Sequence, residues 1–281
     1  MIEFTILGSG SGGNAALIRS AGGLLLVDAG LSASQLCARL QACGVEPAGL
    51  QGILLTHEHG DHTRGLEVFT RKFGLPILAN AMTREVLRES LPVASWKTIP
   101  CGGAFSFAGF EIETFRVPHD AVDPMGIVLR AGGASLGVLS DLGHVTSLVR
   151  AKVEALDALF IEANYDTQML ANDTKRPWST RQRIASRHGH LSNDQCAEIV
   201  AAAAGTALGQ VVLGHLSRDC NSPDAALAAI RVALVAANCP HTAVTCACQH
   251  EPTPWFTAVR KTPPLQPVAA VGQVWEQAEL L

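Results

Sequence analysis

The residues whose types and spacing best suit chemistry lie at 57–62 and read His-Glu-His-Gly-Asp-His. Three imidazoles and a carboxylate within one short turn form a metal-ligand set. Their nitrogen and oxygen donors suit Zn, Mn or Fe better than Ca or Mg. The apolar run 52–56 just before them reads as a buried strand, and Gly60 lets the backbone turn tightly enough for His57, His59, Asp61 and His62 to converge. The bland alternative is a solvated polar turn.

Other donors end apolar runs farther along. The stretch 105–117 reads as a hairpin and stops at Pro118-His119-Asp120, so His119 supplies the third imidazole that His57 and His59 lack. Asp141 follows a strand at 135–139; a carboxylate there either caps the next helix or lies between two metals, and the second reading fits its neighbours. His215 follows a strand at 210–213, whereas His144 reads as exposed. Near the start, Gly8-Ser9-Gly10-Ser11-Gly12-Gly13-Asn14 is a turn whose backbone N–H groups can approach a phosphate. No Lys-Ser/Thr follows, so it is not a Walker loop.

Between Thr174 and Asn193 there is no acidic residue, while Lys175, Arg176, Arg181, Arg183, Arg187, His188 and His190 all fall there, with Trp178 among them. Arg183 and Arg187, four apart, are expected to share a helix face and form a track for phosphates, with Trp178 placed to stack on a base. A solvated basic helix is the plainer account. Ser192 or Asn193 caps the helix that follows, and a helix N-terminus with His190 beside it suits a phosphate oxygen.

These groups need strand ends to hold them. Strands are expected at 3–7, 15–19, 24–27, 52–56, 76–79, 125–130, 135–139, 157–163, 210–213 and 242–247. Helices are expected at 32–43, 65–73, 82–89, about 193–204 and 223–237. The alternation describes an α/β fold with one domain over 1–250 and a tail at 251–281 packed on it. At 48% hydrophobic and 16% charged, the 281-residue chain has ample material for a core. A net charge of −4 means that a nucleic-acid substrate would need a local basic patch. No apolar run is long enough for a membrane helix, and the start lacks a signal-peptide pattern, so a cytoplasmic protein is expected. Eight cysteines without a CxxC pair read as free thiols.

The series His57, His59, Asp61, His62, His119, Asp141 and His215 resembles that of the metallo-β-lactamase superfamily. The resemblance implies a four-layer αβ/βα sandwich with two metals at the sheet edges. The stretches 8–14, 119–124, 162–164, 177–179, 189–193 and 215–217 narrow the likeness to the YycJ (WalJ) family of exonucleases, from residue 1 to about 250. By that likeness His57, His59 and His119 hold one divalent ion, Asp61, His62 and His215 hold the other, and Asp141 bridges. Tyr165 stands where the family often has His, and Cys220 where Asn is frequent.

The implied activity is 5′-to-3′ exonuclease cleavage of single-stranded DNA, or of RNA, by a hydroxide held between two Zn, Mn or Fe ions. Asp61 would orient the nucleophile or take its proton, and His190 would protonate the leaving oxygen. Ser9, Ser11, Asn164, Trp178, Arg183, Arg187, His190 and Ser192 would contact substrate. A homodimer is compatible with this reading. Two rivals stand beside it: an ester or thioester hydrolase of the same superfamily, and a non-catalytic metal-binding regulator.

Overall fold

Strands that are apolar on both faces need cover on both sides, and that requirement builds four layers. A computed structural model describes residues 1–260 other than 206. One mixed sheet has the order β14 (Phe256–Ala258), β1 (Ile2–Gly8), β2 (Ala15–Ser20), β3 (Gly23–Val27), β4 (Gly52–Leu54), β5 (Ile77–Ala79) and β6 (Trp96–Thr98). The other runs β13 (Ala243–Cys246), β12 (Gln210–Gly214), β11 (Ala158–Glu162), β10 (Ala134–Leu139), β9 (Met125–Ala131), β8 (Phe110–Arg116) and β7 (Gly103–Phe107).

The sheets meet face to face. Phe4, Ile6, Ile18, Leu25 and Val27 of the first pack against Ile112, Ile127, Leu129, Val138 and Phe160 of the second. Because side chains alternate along a strand, Leu26 and Ile53 point the other way. They are buried under α1 (Ala33–Ala42) and α3 (Leu66–Phe73) together with Leu36, Leu40 and Phe69. On the far side of the second sheet, Leu159, Ile161, Val211 and Leu213 lie beneath α5 (Ser147–Val153), α8 (Asn193–Ala203) and α9 (Pro223–Ala236). Between these come the single turn α2 (Gly60–Thr63), α4 (Ala81–Leu87), α6 (Thr167–Ala171) and α7 (Trp178–Ile184).

Strand direction gathers the donors at one edge. β3, β4 and β5 are mutually parallel, as are β10, β11 and β12. β9 is antiparallel to both β8 and β10, so β8 runs with β10. The C-terminal ends of β3, β4, β8, β10, β11 and β12 therefore deliver Asp28, His57, His119, Asp141, Glu162 and His215 to a common rim. A backbone bond from Met125 N to Thr56 O at 3.1 Å ties the two sheets together there.

Several boundaries differ from expectation. The helix holding Arg183 ends at Ile184, with Ala185 as its cap, so Arg187 lies in the loop beyond and the two arginines do not share a helix face. The cause is local: His190 N bonds Ile184 O and Gly189 N bonds Ser186 O, which turns the chain toward the rim. A Cβ on Gly189 would lie 2.1 Å from Arg183 O, so only glycine allows that close return. Of the tail, Phe256–Ala258 pairs with β1; the part from 261 to 281 lies outside the described residues.

Candidate metal centre

His57, His59 and the one-turn α2 follow β4 within a few residues, so their rings are brought together by one bend. His57 Nε2 lies 3.1 Å from His59 Nδ1, and His119 Nε2 lies 3.3 Å from the same atom. Three ring nitrogens thus face one small volume. A second group forms beside it, with Asp61 Oδ2 3.7 Å from His62 Nε2 and 3.4 Å from His215 Nε2. Asp141 stands between the groups. Its Oδ2 is 2.7 Å from His62 Nε2, while its Oδ1 is 3.2 Å from His215 Nδ1 and 4.0 Å from His119 Nε2.

Outer contacts fix which nitrogen of each ring carries a proton. Thr56 Oγ1 donates to Asp28, so His57 Nδ1 donates to Thr56 Oγ1 at 3.0 Å and leaves Nε2 bare. His62 Nδ1 donates to Asp28 Oδ2 at 2.7 Å, and His119 Nδ1 to Gly189 O at 2.9 Å. In His57 and His119 the lone pair points inward, whereas His62 carries a second proton on Nε2, facing Asp141. Burial, and then the neighbouring His62, hold His57 well below the usual histidine range, and burial also lowers His119. Burial opposes charge on His62 too, but Asp141 and Asp28 outweigh it and push its pKa up to about 10.

The backbone is strained where these groups sit. Asp28, Asp141 and His215 have φ of 60°, 49° and 53°, a left-handed conformation that costs a non-glycine residue on the order of 1–3 kcal/mol. Hydrogen bonds hold them in place: Ser9 Oγ accepts from His215 N at 2.7 Å, and Asn164 Nδ2 donates to His215 O at 2.8 Å. Ser9 in turn donates to Asn14 Oδ1, and Asn14 Nδ2 reaches both Asp61 Oδ2 and His62 Nε2.

The donor set fits divalent cations. Asp141 Oδ2 and His215 Nε2 are buried and make no well-aligned hydrogen bond among the described residues, although His62 Nε2 lies 2.7 Å from the first and Asp61 Oδ2 3.4 Å from the second; polar atoms in that state suit a cation. Four groupings of donor atoms within 4.8 Å of one another share this rim, including His57-His59-His119 and Asp61-His62-His215.

Above the rim is a pocket of about 310 Å³. Ser11, Asp61, Arg183 and His190 line it. Other expected substrate contacts lie elsewhere. Ser9, Asn164 and Ser192 are buried, and their polar atoms serve the fold; Ser192 Oγ caps α8 by accepting from Gln195 N. Trp178 is 64% exposed at the start of α7 but does not line the pocket. Tyr165 is buried beside Leu170 and Cys220.

The basic segment is also less free than its composition suggests. Arg183 Nη2 pairs with Asp120 Oδ2 at 2.5 Å, Lys175 with Asp219 at 2.6 Å, and Arg176 with both Asp173 and Asp219 at 2.9 and 3.0 Å. Those carboxylates come from outside 174–193, so a window on that segment alone does not reveal them. Arg187 Nη2 rests 3.1 Å from His144 Nε2, which is half-buried.

Two further residues belong to the centre. Asp28 orients His62, and Glu162, fully buried, accepts from His190 Nδ1 at 2.6 Å and from Leu142 N at 2.6 Å. Each is a lone acid ending an apolar run, the one signal that would have marked them. Burial opposes charge on His190, and Glu162 more than offsets it, raising the pKa.

Comparison with known proteins places the chain in a family. The family model described as "Beta-lactamase superfamily domain" matches residues 24–216. The chain is 37% identical over 224 residues to the exodeoxyribonuclease WalJ of Streptococcus pneumoniae serotype 2 (strain D39 / NCTC 7466), covering 78% of this chain and 83% of that protein. It is 34% identical over 228 residues to the exodeoxyribonuclease YycJ of Bacillus anthracis, covering 80% and 86%. Among solved structures, the metallo-β-lactamase fold protein YhfI of Bacillus subtilis superposes with a TM-score of 0.68 at 17% identity, over 90% of this chain and 99% of that one.

Proposed function

The chain belongs to the β-lactamase superfamily, on the branch of WalJ and YycJ, and from that membership we propose that it is a metal-dependent exodeoxyribonuclease. The observation that carries the reading is Asp141, whose two oxygens reach toward both nitrogen clusters at the rim. His57, His59 and His119 would hold one divalent ion, Asp61, His62 and His215 a second, and Asp141 both; zinc and manganese suit these donors. When bound, such ions supply positive charge for the phosphoryl oxygens and make water at the site more acidic.

The side chains then divide the work. Asp61, ionised and lining the pocket, accepts the proton of the attacking water. As the water oxygen bonds to phosphorus, the bond from phosphorus to the leaving sugar oxygen breaks. His190 donates the proton that this oxygen needs. Its Nδ1 is fixed on Glu162, its Nε2 has no partner among the described residues, and Glu162 favours its protonated form. In this reading the substrate is a single strand, digested from its 5′ end, in the cytoplasm. No described helix is long and apolar enough to cross a membrane.

The test is direct. End-labelled single-stranded DNA and RNA, and a thioester, are offered to protein loaded with zinc or manganese, with a chelator as control. Stepwise shortening of DNA from the 5′ end, lost in chelator, is expected. Hydrolysis of the thioester with both nucleic acids left intact would transfer the site to acyl chemistry.

A further inference from the structure

A nuclease that holds its substrate beyond the scissile bond needs cations that are not already neutralised. Along 175–183 they largely are, because Asp120, Asp173 and Asp219 take Arg183, Arg176 and Lys175. On the opposite flank of the pocket the situation reverses. Ser11 is exposed, lines the pocket and belongs to the glycine turn between β1 and β2. Next to it, Arg64 Nη1 donates to Gly12 O at 2.6 Å, and a Cβ placed on Gly12 would lie 3.3 Å from Arg218 Nη2. Both arginines are exposed, and neither forms an ion pair with a carboxylate among the described residues.

Their attachment to the centre is short. Arg64 follows His62 by two residues and Arg218 follows His215 by three, so both cations stand close along the chain to groups proposed for the second ion. The turn between them is braced: Gln249 Oε1 accepts from Gly12 N at 2.7 Å, Gln249 Nε2 donates to Gly13 O at 2.8 Å, and Gly10 N bonds Asn14 Oδ1 at 2.9 Å. Arg64 and Arg218 therefore make a cationic shelf beside the braced Gly12 turn, one residue away from the pocket wall at Ser11.

Resting on the nuclease reading, we infer that the sugar–phosphate backbone of a single DNA strand passes over Ser11 and is gripped by Arg64 and Arg218 rather than by Lys175, Arg176 and Arg183. Exposed guanidinium groups without carboxylate partners release condensed counterions when they meet phosphates, and a single strand loses about 0.7 in the slope of log affinity against log salt for each such contact removed.

The experiment measures binding of a fluorescent phosphorothioate oligothymidylate, which resists cutting, to metal-loaded protein by anisotropy across a salt series. Arg64→Ala with Arg218→Ala is expected to make the slope shallower by about 1.4, and Arg218→Ala alone by about 0.7. The single variant breaks no hydrogen bond of the Gly12 turn, so it reads the charge without disturbing the loop. Arg64→Lys with Arg218→Lys restores the wild-type slope, and Arg71→Ala, at an exposed position of α3 already paired with Glu67, leaves it unchanged. A wild-type slope in Arg218→Ala and in the double alanine variant, in a protein that still digests DNA when loaded, overturns the shelf alone. Wild-type protein that neither binds nor cuts DNA overturns the nuclease reading and the shelf together.

Discussion

His62 is clamped between two carboxylates: Asp28 Oδ2 stands 2.7 Å from its Nδ1, and Asp141 Oδ2 stands 2.7 Å from its Nε2. The ring is fully buried, so its charge state is set by these two neighbours and not by solvent. One of them holds the ring in place, and the other shares the inner nitrogen with whatever occupies the centre.

That clamp fixes a pH dependence. In metal-free protein the His62 pKa is about 10, above its ordinary 6.5, so its pairing stabilises the fold fully below about 6.5 and fades as pH rises toward 10. A metal ion must displace that proton. Zinc affinity is expected to rise by up to about tenfold per pH unit through neutrality. Calorimetric titrations in two buffers of different ionisation enthalpy should show proton release; binding heats that do not depend on buffer would contradict it.

Asp28→Asn keeps the shape of the contact and removes its charge. Weaker zinc binding by about 10- to 100-fold is expected, as for other groups that orient a ligand from outside. Competition against a chromogenic chelator measures it, with circular dichroism confirming that the fold is intact. Unchanged affinity would mean that Asp28 serves only the strained turn.

Asp141→Ala removes the oxygens that face both clusters. Turnover is expected to vanish and metal content to fall, read by elemental analysis of dialysed protein. Full activity in this variant would mean that the bridge has been assigned to the wrong side chain.

Glu162→Gln withdraws the charge that raises the His190 pKa. The alkaline limb of the pH-rate profile is then expected to move to lower pH, with kcat lower by about 10²- to 10⁴-fold and metal content near wild type. Loss of metal in step with activity would instead place Glu162 among the ligands.

Much of this centre was legible in the sequence because chemistry and local structure coincide there. His57, His59, Asp61 and His62 sit on one turn, and His119, Asp141 and His215 each end an apolar run. Strand-end placement is itself a local property. What could not be read depends on distant partners. Asp28 and Glu162 are only acids ending apolar runs until the folded chain sets them against His62 and His190. Lys175, Arg176 and Arg183 look free until Asp219, Asp173 and Asp120 arrive beside them. Ser9 and Asn164 are expected to meet substrate, yet they are spent on the main chain of His215.

The pairing of β14 with β1 also bears on the order of assembly. Phe4 lies opposite Phe256, and Thr5 and Ile6 are bound by Thr253, so the earliest strand finds its outer neighbour only after some 250 residues have followed it. Until then a nascent chain carries an open edge, the kind of seam along which copies adhere to one another. Chains cut short before residue 253 are therefore expected to clump more readily than the chain that carries β14.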